Sequence, residues 1–85
     1  MTSEIELTLI GKPGCHLCED AEAAIGEVVE DFPGRVKLVH ENILENDELF
    51  AKFSEEIPVL LINGKVHNYW RIDQARLREA LQKLT

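Results

Sequence analysis

The chain has 85 residues, 45% of them hydrophobic, and its sixteen acids against nine bases give a net charge of −7. That charge argues against nucleic acid and anionic membrane surfaces as partners, and no apolar run approaches the roughly 18 residues of a membrane span. The length allows one small domain, residues 1–85, near the lower limit for a chain that buries its own core.

The start, Met1-Thr2-Ser3-Glu4-Ile5-Glu6, has neither the basic nor the apolar stretch of a secretory leader, so a reducing, cytoplasmic setting is expected. Ile5-Glu6-Leu7-Thr8-Leu9-Ile10 alternates and then turns fully apolar, the pattern of a strand entering a sheet. Gly11 to Gly14, with Pro13 between them, predict a short loop. From Cys15 the period becomes helical: Ala21, Ile25, Val28, Val29 and Phe32 recur at three- and four-residue steps, with Glu19, Asp20, Glu22, Glu27 and Glu30 mostly opposite. Gly26 weakens this helix by about 1 kcal/mol against alanine, and Pro33-Gly34 ends it.

Val36 to His40 predicts a second strand, and Asn42 to Glu45 a connection. Asn46 reads as the cap of a short helix that begins with Asp47 and Glu48 and has Leu49, Phe50 and Phe53 as its apolar side. Ile57 to Ile62 reads as a buried strand with Pro58 at its start, where a missing N–H is tolerated. Asn63-Gly64 is a strong hairpin signal, and Lys65 to Tyr69 is the return strand. Asp73 caps a last helix with Leu77, Ala80, Leu81 and Leu84 on its inner side. The order β-α-β-α-β-β-α predicts an α/β fold, a four-stranded mixed sheet between helices.

Charge is uneven along the chain. Through Asp31 there are eight acids and one base; from Ile57 onward there are five bases and two acids. Such runs report solvated helix faces or a polarity that orients a charged protein partner.

The only two cysteines, Cys15 and Cys18, stand as Cys-x-x-Cys in the loop before the first helix. Two thiols so spaced at a helix start lie within the Cα separation of about 4.4–6.8 Å that a disulfide needs. The helix N-terminus favours a thiolate. A reversible dithiol/disulfide centre follows. A structural zinc site needs four ligands and a second paired motif, which the chain lacks, so no metal is expected. A cluster shared between subunits is the remaining metal alternative.

With motif and element order in hand, the chain resembles the glutaredoxins, the small branch of the thioredoxin fold. Lys12-Pro13-Gly14-Cys15 is similar to the glutaredoxin lysine three residues before the first active-site cysteine. Glu56-Ile57-Pro58 stands where that family has Thr-Val-Pro with a cis proline, and Asp73 opens the last helix as an aspartate does there. A closer resemblance is to small bacterial glutaredoxin-like proteins with a Cys-His-Leu-Cys centre, followed by the pattern of Pro58-Val59-Leu60, Gly64, Trp70 and Asp73. It spans nearly the whole chain. It implies a thioredoxin-like three-layer sandwich, a cis Ile57–Pro58 bond facing the cysteines, and thiol-disulfide oxidoreductase activity.

Two departures bear on glutathione. Tyr69-Trp70-Arg71 occupies the neighbourhood of the family's Gly-Gly, where the tripeptide approaches bare backbone, and Glu56 adds negative charge beside an anionic ligand. No tightly bound cofactor is therefore expected, and weak glutathione dependence at most. The expected partners are a disulfide-containing protein substrate and an electron-donating reductase, with the chain acting as a monomer.

Within this frame Cys15 is the exposed nucleophile. Cys18, one turn further in and followed by Glu19-Asp20, keeps its proton longer and resolves the mixed disulfide. Lys12 either assists by charge or is simply solvated. His16 either stabilises the Cys15 thiolate when protonated or points to solvent. His40 and His67 are expected to be packed or surface residues. Leu17 and Trp70 offer apolar contact to a protein substrate, and Ile57 offers main-chain pairing beside Pro58. Two alternatives differ in class: a glutathione-dependent glutaredoxin, and a thioredoxin-fold binding module without turnover.

Overall fold

The computed structural model describes residues 4–84; Met1, Thr2, Ser3 and Thr85 lie outside the described residues. Its elements run β1 (Ile5–Gly11), α1 (His16–Val29), β2 (Val36–Asn42), a 3-10 turn (Ile43–Glu45), α2 (Asp47–Phe53), β3 (Val59–Ile62), β4 (Lys65–Tyr69) and α3 (Gln74–Leu84). The sheet order is β2-β1-β3-β4. β1 pairs in parallel with β2 and antiparallel with β3, and β3 and β4 form an antiparallel hairpin. This is the α/β architecture with a four-stranded mixed sheet that the sequence predicts, and the fold is thioredoxin-like.

β1 is the central strand because its sequence can be buried on both faces. Ile5, Leu7 and Leu9 join Ala21, Ile25 and Val28 of α1 and Leu77 and Leu81 of α3 in the larger core. Ile10 faces the other way, into a smaller core with Ile43 and Val59 that Leu49, Phe53, Ile57 and Leu61 help to cover. β3 divides by the same period of two, Leu60 and Ile62 going to the first core and Val59 and Leu61 to the second.

Element ends depart from the sequence reading where pairing or capping decides them. β2 continues past His40 to Asn42 because the ladder with β1 runs on to the Gly11–Asn42 pair. Gly11 therefore belongs to the strand and not to the loop. The segment read as a connection contains the 3-10 turn, capped where the Leu44 N–H donates to Asn42 Oδ1 at 2.8 Å. α1 stops at Val29, so Phe32 packs on the first core from the following turn. β3 starts only at Val59, and the Ile57–Pro58 peptide before it is cis. Leu84, expected inside, is half exposed at the end of α3.

Asn63 and Gly64 both have positive φ, 50° and 85°, the conformation of a two-residue turn whose twist matches the flanking strands. β4 carries one irregularity that the sequence pattern does not announce. Leu60 pairs with Asn68 but Leu61 with Val66, leaving His67 as an extra residue in β4.

Candidate functional site

The loop after β1 places the two cysteines. Gly14 turns the chain with φ +76°, a conformation that costs a residue with a side chain about 1 kcal/mol or more. Cys15 follows in extended conformation as the N-cap of α1. Its Sγ accepts the Cys18 N–H at 3.2 Å, and its carbonyl accepts the Glu19 N–H at 3.1 Å. The cysteine sulfur thus does the work that a serine or aspartate oxygen does at most helix starts. Negative charge on that sulfur is stabilised by the same N–H and by the partial positive charge of the helix end.

Cys15 and Cys18 are joined as a disulfide with Cα atoms 5.1 Å apart, inside the usual range. Cys15 is partly exposed, whereas Cys18 is 8% exposed and belongs to the interior face of α1. The difference follows from helix geometry. Cys18, Ala21, Ile25 and Val28 share the buried stripe of α1, and Cys15 precedes the first turn.

Two concavities lie on either side of α1. On the β2 side a cleft of about 520 Å³ is lined by Lys12, Cys18, Glu19, Glu22, His40 and Glu45 among others, so it is mainly acidic. His40 Nε2 lies 3.6 Å from Glu22 Oε1 there. On the opposite side of α1 a groove of about 280 Å³ is walled by Leu17, Asp20, Ala21, Ala24, Trp70, Arg71 and Ile72. Leu17 and Trp70 are 43% and 54% exposed, large apolar surfaces in this groove.

Trp70 is held there by an unusual backbone. Its φ is +61°, rare for a bulky side chain, and the Arg71 N–H donates back to the Tyr69 carbonyl at 2.7 Å across it. This is a three-residue turn of the strained, positive-φ kind. Two bonds fasten it: the Trp70 N–H donates to the Pro58 carbonyl at 2.7 Å, and the indole Nε1 donates to the Glu55 carbonyl at 3.4 Å. Strain of this kind persists where surrounding contacts over-determine it, commonly at binding sites.

The sequence-predicted residues are thus not brought together in one place. Leu17 and Trp70 meet in one groove, and Lys12 lies with Cys18 in the opposite cleft. Pro58 is buried and Ile57 half-buried against the smaller core, next in the chain to β3. His16 stands apart from both clefts on the outer face of α1, its ring 3.9 Å from Glu19 and from Asp20, so any positive charge it carries is shared with those carboxylates. Asp73 is occupied as the cap of α3, its Oδ1 accepting the Arg76 N–H at 3.1 Å.

Ala21, Ala24, Arg71 and Ile72 were not singled out from the sequence. Leu17, Ala21 and Ala24 stand at four- and three-residue steps, the one signal that could have found them. His67 is half-buried with its pKa lowered, first by burial and then by the Arg76 charge, against an opposing pull from Asp73. Among the described residues, no group of three or more His, Cys, Asp or Glu could hold a metal ion.

The domain model described as "Glutaredoxin-like domain (DUF836)" matches residues 6–82. The "Glutaredoxin-like protein YDR286C homolog" of Dictyostelium discoideum is 32% identical over 84 residues, covering 94% of this chain and 78% of that protein. A protein named thioredoxin from Methanocaldococcus jannaschii is 27% identical over 82 residues, covering 95% of this chain and 96% of its own. Among solved structures, protein XcR50 from X. campestris superposes with a TM-score of 0.72 at 27% identity, over 91% of this chain and 96% of the other.

Proposed function

Because the chain belongs to the glutaredoxin-like domain family, we propose that it is a thiol-disulfide oxidoreductase that reduces protein disulfides through Cys15 and Cys18. One observation carries this reading: Cys15 is the partly exposed N-cap of α1, with its sulfur accepting a helix N–H, while its partner thiol sits one turn inward. The names of the Dictyostelium and Methanocaldococcus relatives point to the same chemistry.

In the proposed cycle the Cys15 thiolate attacks one sulfur of a substrate disulfide. The substrate S–S bond breaks, and the first substrate thiolate leaves and takes a proton from water. Cys18 then gives up its proton to solvent, restoring the one taken by the first substrate thiolate, and attacks the Cys15 sulfur. The Cys15–Cys18 bond forms, and the second substrate thiolate is released. The substrate gains two electrons and the protein loses two, which a dithiol reductant returns. Lys12 adds positive charge on the β2 side of the pair.

The groove between Leu17 and Trp70 suits an apolar side chain of the substrate next to its disulfide, with main-chain pairing along Ile57 beside Pro58. Glutathione fits this surface poorly. Where the tripeptide needs bare backbone, the chain carries Trp70 and Arg71, and Glu56 repels its carboxylates. The protein is proposed to act as a cytoplasmic monomer without a tightly bound cofactor, at a potential between about −270 and −180 mV.

Reduction of insulin with dithiothreitol as electron source tests the reading. Turnover is expected, abolished by Cys15→Ser, while Cys18→Ser accumulates a mixed disulfide. In a glutathione-coupled assay with a small mixed disulfide, turnover is expected well below that of an ordinary glutaredoxin. Equal turnover would remove the proposed preference for proteins. Inactivity in the first assay with both thiols free would leave a binding module.

A further inference from the structure

Gly11 closes β1, where its backbone pairs with Asn42 and the residue is buried. A Cβ on Gly11 would lie 2.8 Å from Cys18 Sγ and 3.2 Å from Cys18 Cβ, well inside van der Waals contact. The same Cβ added at Gly14, Gly26, Gly34 or Gly64 would meet nothing within 4 Å. Among the described residues, Gly11 is therefore the one glycine whose bare Cα makes room for another group. That group is the inner sulfur of the redox pair.

We propose that Gly11 is a positioning residue for the resolving thiol: its missing side chain forms the seat from which Cys18 Sγ closes on Cys15. This rests on the oxidoreductase reading above. The two short approaches decide which redox state would suffer from a side chain there. In the dithiol, Cys18 Sγ can turn about its Cα–Cβ bond and leave the crowded position. In the disulfide, α1 holds the Cβ and the bond to Cys15 holds the sulfur, so neither can yield. A methyl group at position 11 thus penalises the disulfide more than the dithiol. It also hinders the second step, in which the Cys18 thiolate attacks the Cys15 sulfur and expels the substrate thiolate. The attack of Cys15 on the substrate needs no movement at Gly11.

The test compares wild type, Gly11→Ala and, as an open-space control, Gly26→Ala. Each is equilibrated with reduced and oxidised dithiothreitol, and the disulfide fraction is read by alkylation and mass spectrometry. Gly11→Ala is expected to lower the equilibrium constant for disulfide formation about tenfold, equivalent to a rise of about 30 mV, with Gly26→Ala within about twofold of wild type. Stopped-flow reaction with dithiobis(nitrobenzoate) separates the steps, since Cys15 releases the first chromophoric thiol and Cys18 the second. Gly11→Ala should slow only the second release, about tenfold. Equal slowing of both phases, or a wild-type equilibrium constant and second phase, would overturn the proposal.

Should Gly11→Ala fail to fold, Gly11→Ala/Cys18→Ala decides. Folding of the double variant supports the seat for sulfur, and its failure overturns it, because the crowding would then come from the strand or from the Cys18 Cβ that alanine retains, and not from the sulfur. No protein substrate enters these measurements, so loss of the protein-reductase reading would appear separately, in the insulin assay.

Discussion

Cys15 and Cys18 share a residue type and differ only in which part of one helix start they occupy. Cys15 is the cap and partly exposed; Cys18 lies on the buried stripe beside Gly11. In the reduced protein, iodoacetamide should therefore modify Cys15 at least about tenfold faster than Cys18, with a single ionisation below the ordinary thiol value of about 8.5. Peptide mapping after a short exposure checks this, and equal labelling would reverse the assigned roles. His67 makes a second prediction at this scale. Burial and Arg76 lower its pKa from 6.5, so the fold prefers neutral imidazole. Stability is then full above pH 6.5 and declines as pH falls through the folded value, because the unfolded chain binds the proton more readily. Chemical denaturation at a series of pH values should show this slope in wild type and a shallower one in His67→Gln.

Among the elements, α2 depends most on its cap. It has seven residues, none of them buried, and Asn46 Oδ1 accepts the N–H groups of both Glu48 and Leu49, at 3.0 and 3.2 Å. A helix this short has little stability of its own. Asn46→Ala is expected to cost about 1 kcal/mol, measured as a drop in urea midpoint with an unchanged slope, and Asn46→Asp should restore most of it. The Asn46-Asp47-Glu48 run announced this cap in the sequence, as Asn63-Gly64 announced the hairpin, because both signals act through neighbouring backbone alone. The bulge at His67 left no such trace. It arises from the pairing of β4 with β3, and the residues Val66-His67-Asn68 would suit a regular strand equally well.

Over the whole molecule, the uneven charge of the sequence finds part of its explanation in packing. The acidic helix α1 and the basic helix α3 lie on the same face of the sheet. Arg78 Nε donates to Asp31 Oδ2 at 2.8 Å, and Gln74 Nε2 donates to the Ala24 carbonyl at 3.0 Å and to Glu27 Oε2 at 2.7 Å. These contacts are partly exposed, so each contributes at most about 1 kcal/mol; they align the helices more than they hold them. The groove between Leu17 and Trp70 is also a product of this scale, built from α1 and the turn after β4. Trp70→Gly should relax a backbone strained by about 1–3 kcal/mol while losing the indole bond to Glu55. Stability should change by no more than about 1 kcal/mol. Insulin reduction should nevertheless fall severalfold, with the first phase of the dithiobis(nitrobenzoate) reaction nearly unchanged. An insulin rate equal to wild type would remove Trp70 from the groove's function.

Local patterns in the sequence were enough to determine the element order, the hairpin, the caps at Asn46 and Asp73, and the inner and outer thiols, because each depends on periodicity or on backbone groups within a few residues. The sequence also identified Leu17 and Trp70 as apolar residues near the centre. Only the tertiary structure decided that they share one groove with Ala21 and Ala24, and that Lys12 lies in a separate cleft with Cys18. It alone showed that Gly11 is a strand residue pressed against Cys18 Sγ and not one more loop glycine. The reason is physical: the separation between the end of β1 and the first turn of α1 is set by the core they share. Distances across a core depend on every side chain packed into it, and no short stretch of sequence contains them.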